Sequence, residues 1–232
     1  MEPTSTSDRT TTAVRVPVAD QWLDGDLGIP PHSHGIVLFA HGSGSSRHSP
    51  RNQFVARALG RRSLATLLID LLTPAEEAVD DRTAEYRFDI EMLAGRLVAI
   101  VDWLRRRGET ASLPIGLFGA STGGGAALMA AAARSQEIAA VVSRGGRPDL
   151  AGSALATVTT PTLLIVGGLD TPVIQMNRDA MKQMRGEVTL EIVPGATHLF
   201  EESGTLERVA ELAGKWFDRH LHAESPQVKK PS

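Results

Sequence analysis

Residues 113–130 read LPIGLFGASTGGGAALMA, and this stretch decides the fold. Its first part, residues 113–118, is an apolar run typical of a buried strand. Its last part, from residue 124 onward, is rich in Gly and Ala, like the start of a closely packed helix. Between them, residues 119–123 match G-x-S-x-G, the pattern in which a serine occupies a sharp turn from strand to helix. The stretch predicts Ser121 as a nucleophile.

The glycines of this motif have a physical reason. A tight, strained turn leaves no room for bulky side chains beside the serine. The helix that follows would point its N-terminus at Ser121 and favour negative charge as it develops there. A simpler interpretation is that Ser121 caps that helix. We favour the nucleophile, because a cap does not require glycine on both sides.

Working outward, apolar runs alternate with helical patterns. The predicted strands are residues 14–18, 22–27, 35–40, 65–69, 115–119, 139–143, 162–166 and 189–193, and the predicted helices are 50–62, 88–107, 123–135, 173–184 and 206–220. Most strands after the second are continuous apolar runs, as in a parallel sheet covered on both faces. The first two alternate and predict an antiparallel hairpin. The fold class is α/β, with a doubly wound, mostly parallel eight-stranded sheet flanked by helices.

Composition narrows the possible functions. The 232 residues fit a single domain at 13–222, between polar tails at 1–12 and 223–232 that we expect to be disordered. A net charge of −3 argues against a nucleic-acid partner, and no apolar stretch suggests a membrane partner. The absence of cysteine excludes disulfides, thiolate nucleophiles and cysteine-bound metals. We expect a cytoplasmic monomer or homodimer that needs no cofactor and no metal.

A general base should lie at the carboxyl end of a strand, because ligands of doubly wound sheets bind there. His198 follows the last predicted strand, in the turn PGATH at residues 194–198. A serine hydroxyl becomes a good nucleophile only when a base takes its proton. We therefore expect His198 to be the general base for Ser121.

The acid that orients the base should follow another strand. Asp170 comes after the strand at residues 162–166, and the chain order serine, aspartate, histidine is that of α/β-hydrolase triads. Asp170 could instead cap the helix that begins next to it. Asp70 and Asp149, each in a loop after a strand, are weaker alternatives for the acid.

The loop HGSGSS at residues 41–46 follows the third strand and is rich in glycine. Such a loop can offer a backbone N–H to the oxyanion of an acyl-transfer reaction. We predict Ser43 as the loop donor, with Gly44 as the alternative, and the N–H of Thr122 as the second donor. His41 looks catalytic, but we expect it to order the loop.

The predictions for substrate contacts rest on less. Gly44, Arg47, Arg144 and Met176 are candidates, because each lies near the strand-end edge. Either arginine could bind a carboxylate or phosphate of a substrate, but a loop-ordering salt bridge is the favoured interpretation for both. The segment at residues 71–87 is too short for a large lid. An open site for short acyl esters or lactones is therefore expected.

Four motifs in this order resemble the dienelactone-hydrolase-like branch of the α/β-hydrolases: HGSGSS at 41–46, GASTGG at 119–124, GGLD at 167–170 and GATHLF at 195–200. The resemblance covers residues 13–221 and implies the roles already given to Ser121, Asp170 and His198. Residues 143–152, SRGGRPDLAG, resemble bacterial members that are sometimes joined to phosphoribosyltransferase domains. We expect no such domain in these 232 residues.

One departure from the family matters. Dienelactone hydrolases use a cysteine nucleophile, and this chain has none, so their substrate is not carried over. A serine indicates ordinary ester chemistry on a small-molecule ester, through an acyl-enzyme. The alternatives are an acyltransferase or perhydrolase that uses the same triad, and a non-catalytic binding protein with the α/β-hydrolase fold.

Overall fold

The computed structural model describes residues 11–221, which fold around one eight-stranded sheet. Its strands are β1 Thr11–Val18, β2 Gln21–Gly28, β3 Gly35–Ala40, β4 Leu64–Ile69, β5 Ile115–Ala120, β6 Ile138–Arg144, β7 Thr162–Gly167 and β8 Val188–Val193. Their order across the sheet is β1-β2-β4-β3-β5-β6-β7-β8. The pairs β1/β2 and β2/β4 are antiparallel, and all other pairs are parallel. The predicted sheet and its entry hairpin are confirmed.

Helices cover both faces of the sheet. They are α1 Pro50–Gly60, α2 Pro74–Thr83, α3 Ile90–Arg106, α4 Thr122–Ala133, α5 Thr171–Met181 and α6 Thr205–His220, with a 3₁₀ segment at Pro148–Thr157. One buried cluster lies between the sheet and the α3–α4 face, and a second lies between the sheet and the α1–α6 face. Both faces of β3 to β7 are therefore buried, which explains their continuous apolar sequences.

Helix α3 shows how the sequence sets an element's limits. Its apolar residues recur every three or four positions and are buried against the sheet: Ile90, Leu93, Leu97, Ile100, Val101 and Leu104. The Asp89 side chain accepts a hydrogen bond from the Met92 N–H at 3.0 Å, so the helix begins after Asp89. Phe88, placed inside the helix by the sequence prediction, lies outside it and is exposed.

One expectation about the irregular segments was wrong, and one helix was not predicted. Thr11 and Thr12, assigned to a disordered tail, pair with Gly28 and Leu27 as the first residues of β1. The pairing with β2 supplies backbone hydrogen bonds that the polar composition alone did not suggest. The segment at 71–87 contains α2, which the sequence prediction missed. Predicted tail residues 1–10 and 223–232 lie outside the described residues.

Helix α4 crosses very close to the carboxyl ends of β3 and β5. A Cβ atom on Gly123 would overlap the carbonyl oxygen of Ala40, and one on Gly119 would lie 2.5 Å from the carbonyl oxygen of Gly123. Both obstacles are backbone atoms, which cannot swing aside as a side chain does. The helix can approach the sheet this closely only because these positions carry no side chain.

We expect Gly123→Ala to lower the free energy of unfolding by about 3 kcal/mol, at the upper end of overpacking effects. Gly95→Ala is the matched control, because a Cβ at that exposed helical position meets nothing within 4 Å. The control should raise stability by about 0.5–1 kcal/mol through helix propensity. Urea denaturation of both variants measures the difference, and shifts of the same sign would contradict the close-contact account.

Candidate active site

Ser121 forms the turn between β5 and α4 with φ +51° and ψ −121°. A non-glycine residue in such a conformation is strained by about 1–3 kcal/mol. Neighbouring backbone holds the turn: the Ser121 N–H donates to the Arg144 carbonyl at 3.2 Å, and its carbonyl accepts from the N–H groups of Gly124 and Arg147 at 2.9 and 3.0 Å. The hydroxyl makes no capping hydrogen bond to α4, so the simpler interpretation of Ser121 as a helix cap does not hold.

His198 and Asp170 are joined by a hydrogen bond of 2.7 Å between Nδ1 and Oδ2. The histidine lies in the β8–α6 loop and its side chain is 38% exposed, whereas that of Asp170 is 13% exposed. Although Asp170 immediately precedes α5, its side chain makes no capping bond to that helix. The aspartate therefore orients the imidazole, and the bond through Nδ1 leaves Nε2 as the other ring nitrogen.

The loops that carry these two residues are fastened to each other by backbone contacts. The N–H groups of Gly168 and Leu169 donate to the carbonyls of Val193 and Ala196 at 2.8 and 2.9 Å. A Cβ on Gly167 would lie 2.5 Å from the carbonyl oxygens of Ala196 and Thr197. The distance between the histidine loop and the aspartate loop is therefore set by the backbone.

The end of β6 connects His198 to the strand-to-helix turn at Ser121, which we call the elbow. Gly145, at φ +52°, lies against the imidazole, since a Cβ there would be 3.5 Å from Cε1 and Nδ1 of His198. The preceding residue, Arg144, accepts the hydrogen bond from the Ser121 N–H. Ser121, Asp170 and His198 thus follow three parallel strands, β5, β7 and β8, that end at the same edge of the sheet.

The alternative acids are engaged elsewhere. Asp70 accepts a hydrogen bond from the Arg47 N–H at 2.6 Å, and its carboxylate forms an ion pair with the Arg47 guanidinium. Asp149 binds the guanidinium of Arg147, with Nη2 and Oδ2 2.7 Å apart. The same contacts agree with the favoured interpretation of Arg47 as a loop-ordering residue. Its charge serves Asp70 and, at 3.7 Å, Asp26, so it orders the loop.

The β3–α1 loop packs directly on the elbow. A Cβ on Gly42 would lie 3.0 Å from the Cβ of Ser121. The N–H of Ser43, predicted to be an oxyanion donor, donates to the Thr122 hydroxyl at 3.0 Å, and the two hydroxyl oxygens are 3.1 Å apart. The motif gave no sign of this contact, because it depends on a side chain that reaches across from another element.

His41 bridges two loops, as expected of a loop-ordering residue. Its Nδ1 lies 3.0 Å from the Gly42 carbonyl oxygen, and its Nε2 accepts a hydrogen bond of 2.9 Å from the Leu71 N–H. This arrangement requires the neutral ring, with the proton on Nδ1. Burial lowers the pKa of His41, while the hydrogen bond to Gly42 opposes that change.

A small cleft, partly open to solvent and with about 20 Å³ of room for the centres of water-sized molecules, lies beside this loop. It contains the predicted residues Ser43, Gly44 and Thr122, and its other walls are His41, Gly42, Ser45, Asp70, Leu71, Leu72, Glu77, Asp80, Asp81, Arg87 and Leu93. The segment at 71–87, dismissed as too short for a large lid, therefore forms one side of the cleft.

Helix α2 is a fixed wall of the cleft. Glu76 binds Arg96 of α3 at 2.8 Å, which lowers the pKa of the carboxyl, and Asp80 binds Arg87 at 2.7 Å. Thr73 and Glu76 form a capping box, with Pro74 at the first helical position. The sequence Thr-Pro-Ala-Glu carried this start signal, so the helix was predictable from it.

The two remaining residues predicted to contact substrate are buried to different extents. Met176 is half-buried on α5, and Arg144 ends β6 with 8% of its surface exposed.

Among the residues from Thr11 to Leu221, no group of three or more His, Cys, Asp or Glu side chains could hold a metal ion. None of the helices in that same range has the length and apolar character required to cross a bilayer.

The strand order and the helices on both faces define the class: this is a protein of the α/β-hydrolase fold. Residues 63–221 match the model of the dienelactone hydrolase family, and the chain belongs to that family. The crystal structure of a dienelactone hydrolase from Anabaena variabilis is 58% identical, with a TM-score of 0.91 over 92% of this chain and 99% of that one. Est1E from Butyrivibrio proteoclasticus is 18% identical, with a TM-score of 0.74 over 89% of this chain and 98% of that one, and shows the shared fold.

A longer relative comes from Mycobacterium tuberculosis H37Rv, and its name proposes phosphoribosyl transferase activity. It is 54% identical over 211 residues, which are 91% of this chain and 46% of the relative. This chain therefore spans about half the length of that protein. The name describes the whole of the longer relative and does not by itself assign an activity to the shared half.

Because folding lowers the pKa of His41, the unfolded chain binds a proton more readily than the native protein. Stability from this residue is present above its ordinary pKa of about 6.5 and is lost as the pH falls below it. We expect His41→Gln to show a smaller loss of unfolding free energy between pH 7.5 and 5.5 than the wild type. His48→Gln, at an exposed position of the same loop, is the control and should behave like the wild type. Equal pH dependence in all three proteins would contradict the buried neutral state of His41.

Proposed function

We propose that this chain is a serine hydrolase that cleaves carboxylic esters or lactones of small molecules through an acyl-enzyme. The observation that supports the proposal most directly is the 2.7 Å hydrogen bond between His198 and Asp170, at the edge of the sheet where Ser121 occupies a strained turn. This is the arrangement in which an oriented imidazole serves a serine nucleophile.

In the proposed reaction, Nε2 of His198 takes the hydroxyl proton while Oγ of Ser121 forms a bond to the carbonyl carbon of the substrate. The carbonyl electrons move to the oxygen and give a tetrahedral oxyanion. The carbonyl re-forms when the leaving alcohol departs with the proton from His198. Water then attacks the acyl-enzyme in the same way and releases the acid. Asp170 stabilises the imidazolium that exists in each half of the cycle.

The oxyanion needs donors that are fixed before the reaction begins, and each is typically worth about 3 kcal/mol. The N–H of Thr122 opens α4, where the first amides of a helix have no helical partner. The Ser43 N–H is bonded to the Thr122 hydroxyl, so an oxyanion must share it or displace that hydroxyl. Gly44, exposed at φ +62°, is the alternative donor.

The chemistry of the site favours simple esters. A serine replaces the cysteine of the dienelactone hydrolases, and the cleft beside the β3–α1 loop is small and partly open to solvent. Leu169 and Leu199, next to the acid and the base in sequence, are exposed and add apolar surface near the edge. We therefore propose a small-molecule ester as the partner of this site.

Other functions have less support. Acyl transfer or perhydrolysis would use the same groups and requires only an acceptor other than water. A non-catalytic binding protein would not need an imidazole oriented by a carboxylate. The half shared with the mycobacterial relative is the half that matches the hydrolase family, so we do not propose phosphoribosyl transfer. The cytoplasmic location, and the monomer or homodimer, stay predictions.

A fluorophosphonate probe should label Ser121 in the folded wild type, and Ser121→Ala should abolish labelling. The variant should also lose ester hydrolysis by a factor on the order of 10⁶, because the bond-forming oxygen is gone. Mass spectrometry of the labelled peptide and a panel of aryl esters provide the measurements. Labelling at another residue, or full activity in the variant, would end the proposal.

Asp170→Asn should lower kcat by about 10⁴, because the amide fails to hold the imidazole in the tautomer that accepts the serine proton. Asp149→Asn is the matched control, since that carboxylate binds Arg147 and should leave kcat unchanged. Circular dichroism would establish that both variants are folded. If the two substitutions reduced kcat equally, Asp170 would have no special role.

A further inference from the structure

Among residues 11–221, Arg144 is a buried cation with no carboxylate within ion-pair distance. It is the last residue of β6, it is 8% exposed, and its Nε and Nη1 atoms are fully buried without a hydrogen-bond partner. Its guanidinium carbon lies 6.0 Å from the ring centroid of Phe200. Burying a charge is unfavourable unless another group compensates it, so this arrangement calls for an explanation.

Other arginines around the site show the contrast. Arg47, Arg87 and Arg96 are each at most 23% exposed in their side chains, and each forms an ion pair with a carboxylate. Those residues order loops and helices, and their charges are already used. Arg144 is more deeply buried than Arg47 or Arg87, and no described carboxylate forms an ion pair with it.

Arg51 is tied to the same loop as Arg144, because it binds Glu201, the residue after Phe200. The charge of Arg51, in the first turn of α1, opposes that of Arg144 and, after the larger effect of burial, helps to lower the pKa of Arg144 to about 10. Arg144 therefore remains a cation at neutral pH. In the part of the chain that the structure describes, the ion pair of Arg51 is with Glu201, at 3.1 Å, whose side chain is 63% exposed, and the Nε of Arg51 is buried without a hydrogen-bond partner. The two arginines therefore have one ion-paired carboxylate between them, and it is solvated.

This pair lies beside the proposed catalytic groups. The Arg144 carbonyl accepts the Ser121 N–H, and the next residue, Gly145, lies against the His198 ring. Phe200, which contacts the guanidinium, is two residues beyond His198. A ligand on the Arg144 side chain would therefore lie beside the loop that carries His198.

We propose that Arg144 and Arg51 form a phosphate-binding subsite, and that the esters cleaved at Ser121 carry a phosphate monoester group that binds there. Phosphate carries a charge of about −1.5 to −2 at neutral pH and offers three acceptor oxygens. Two guanidinium groups match that charge and geometry, whereas a carboxylate would satisfy only one. The substrate class rests on the proposed hydrolase function, but binding of phosphate itself does not require Ser121.

The first test measures the binding of inorganic phosphate to Ser121→Ala protein, which removes catalysis from the question. Phosphate should raise Tm in a saturable way, and isothermal titration should give one site. Arg144→Met should abolish the response, and Arg51→Gln should weaken binding at least tenfold. Arg147→Gln is the matched control, because that guanidinium is bonded to Asp149, and it should bind as the parent does.

Stability without phosphate separates a binding role from a structural one. Methionine replaces an unpaired buried charge with an apolar chain, so Arg144→Met should keep or raise Tm. A lower Tm together with no phosphate response in the parent protein would show that Arg144 only packs against Phe200, and would overturn the proposal. If Arg144→Met does not fold, Arg144→Lys and Arg51→Gln provide the same comparison. An equal response of Arg144→Met and its parent, or tighter binding of acetate than phosphate, would also overturn it.

The second test uses two substrates that differ by the phosphate, 1-acetylglycerol 3-phosphate and 1-acetylglycerol. The wild type should prefer the phosphorylated ester at least tenfold in kcat/KM, and Arg144→Met should lose this preference while it still cleaves the neutral ester. Phosphate binding without any ester hydrolysis would refute the hydrolase and leave the subsite standing. Hydrolysis without phosphate binding or preference would refute the subsite alone.

Discussion

The contact between the first turn of α4 and the ends of β3 and β5 is the constraint on which the rest of this site depends. Ser121 must adopt a left-handed backbone conformation there, and Gly119 and Gly123 must lack side chains for helix and sheet to meet. The strain persists because hydrogen bonds from β6 and from the segment after it hold the serine peptide on both sides. The same turn leaves the hydroxyl outside the helix cap.

Hydrogen bonding distinguishes groups that build the site from groups that are available to a ligand. Both ring nitrogens of His41 are engaged by loop backbone, so this histidine holds two loops together. His198 uses one nitrogen for Asp170 and keeps the other. The arginines follow the same rule: Arg47 forms ion pairs with carboxylates, whereas Arg144 is buried with two nitrogens that have no hydrogen-bond partner. Residue type alone would not have distinguished His41 from His198, or Arg47 from Arg144.

The sheet was predictable because burial on both faces forces continuous apolar strands, and β3 was predicted to the residue. Helix α2 was missed because half of its residues are charged and it shows no apolar stripe; only the capping box at Thr73 and Glu76 marked it. The pairing of Thr11 and Thr12 was missed because it depends on β2, which supplies the hydrogen bonds. Local patterns therefore predicted buried elements well and exposed ones poorly.

The sequence by itself determined the order of the elements and the residues that end each parallel strand, because hydrophobic periodicity and glycine positions are local properties of the chain. Those local properties identified Ser121, Asp170 and His198 as candidates, because each follows the end of a parallel strand. Only the tertiary structure decided which carboxylate reaches the imidazole, that the Ser43 N–H is bonded to Thr122, and that Arg144 has no acidic partner. These are distances between segments far apart in the chain, and they are fixed by how the loops pack on one another.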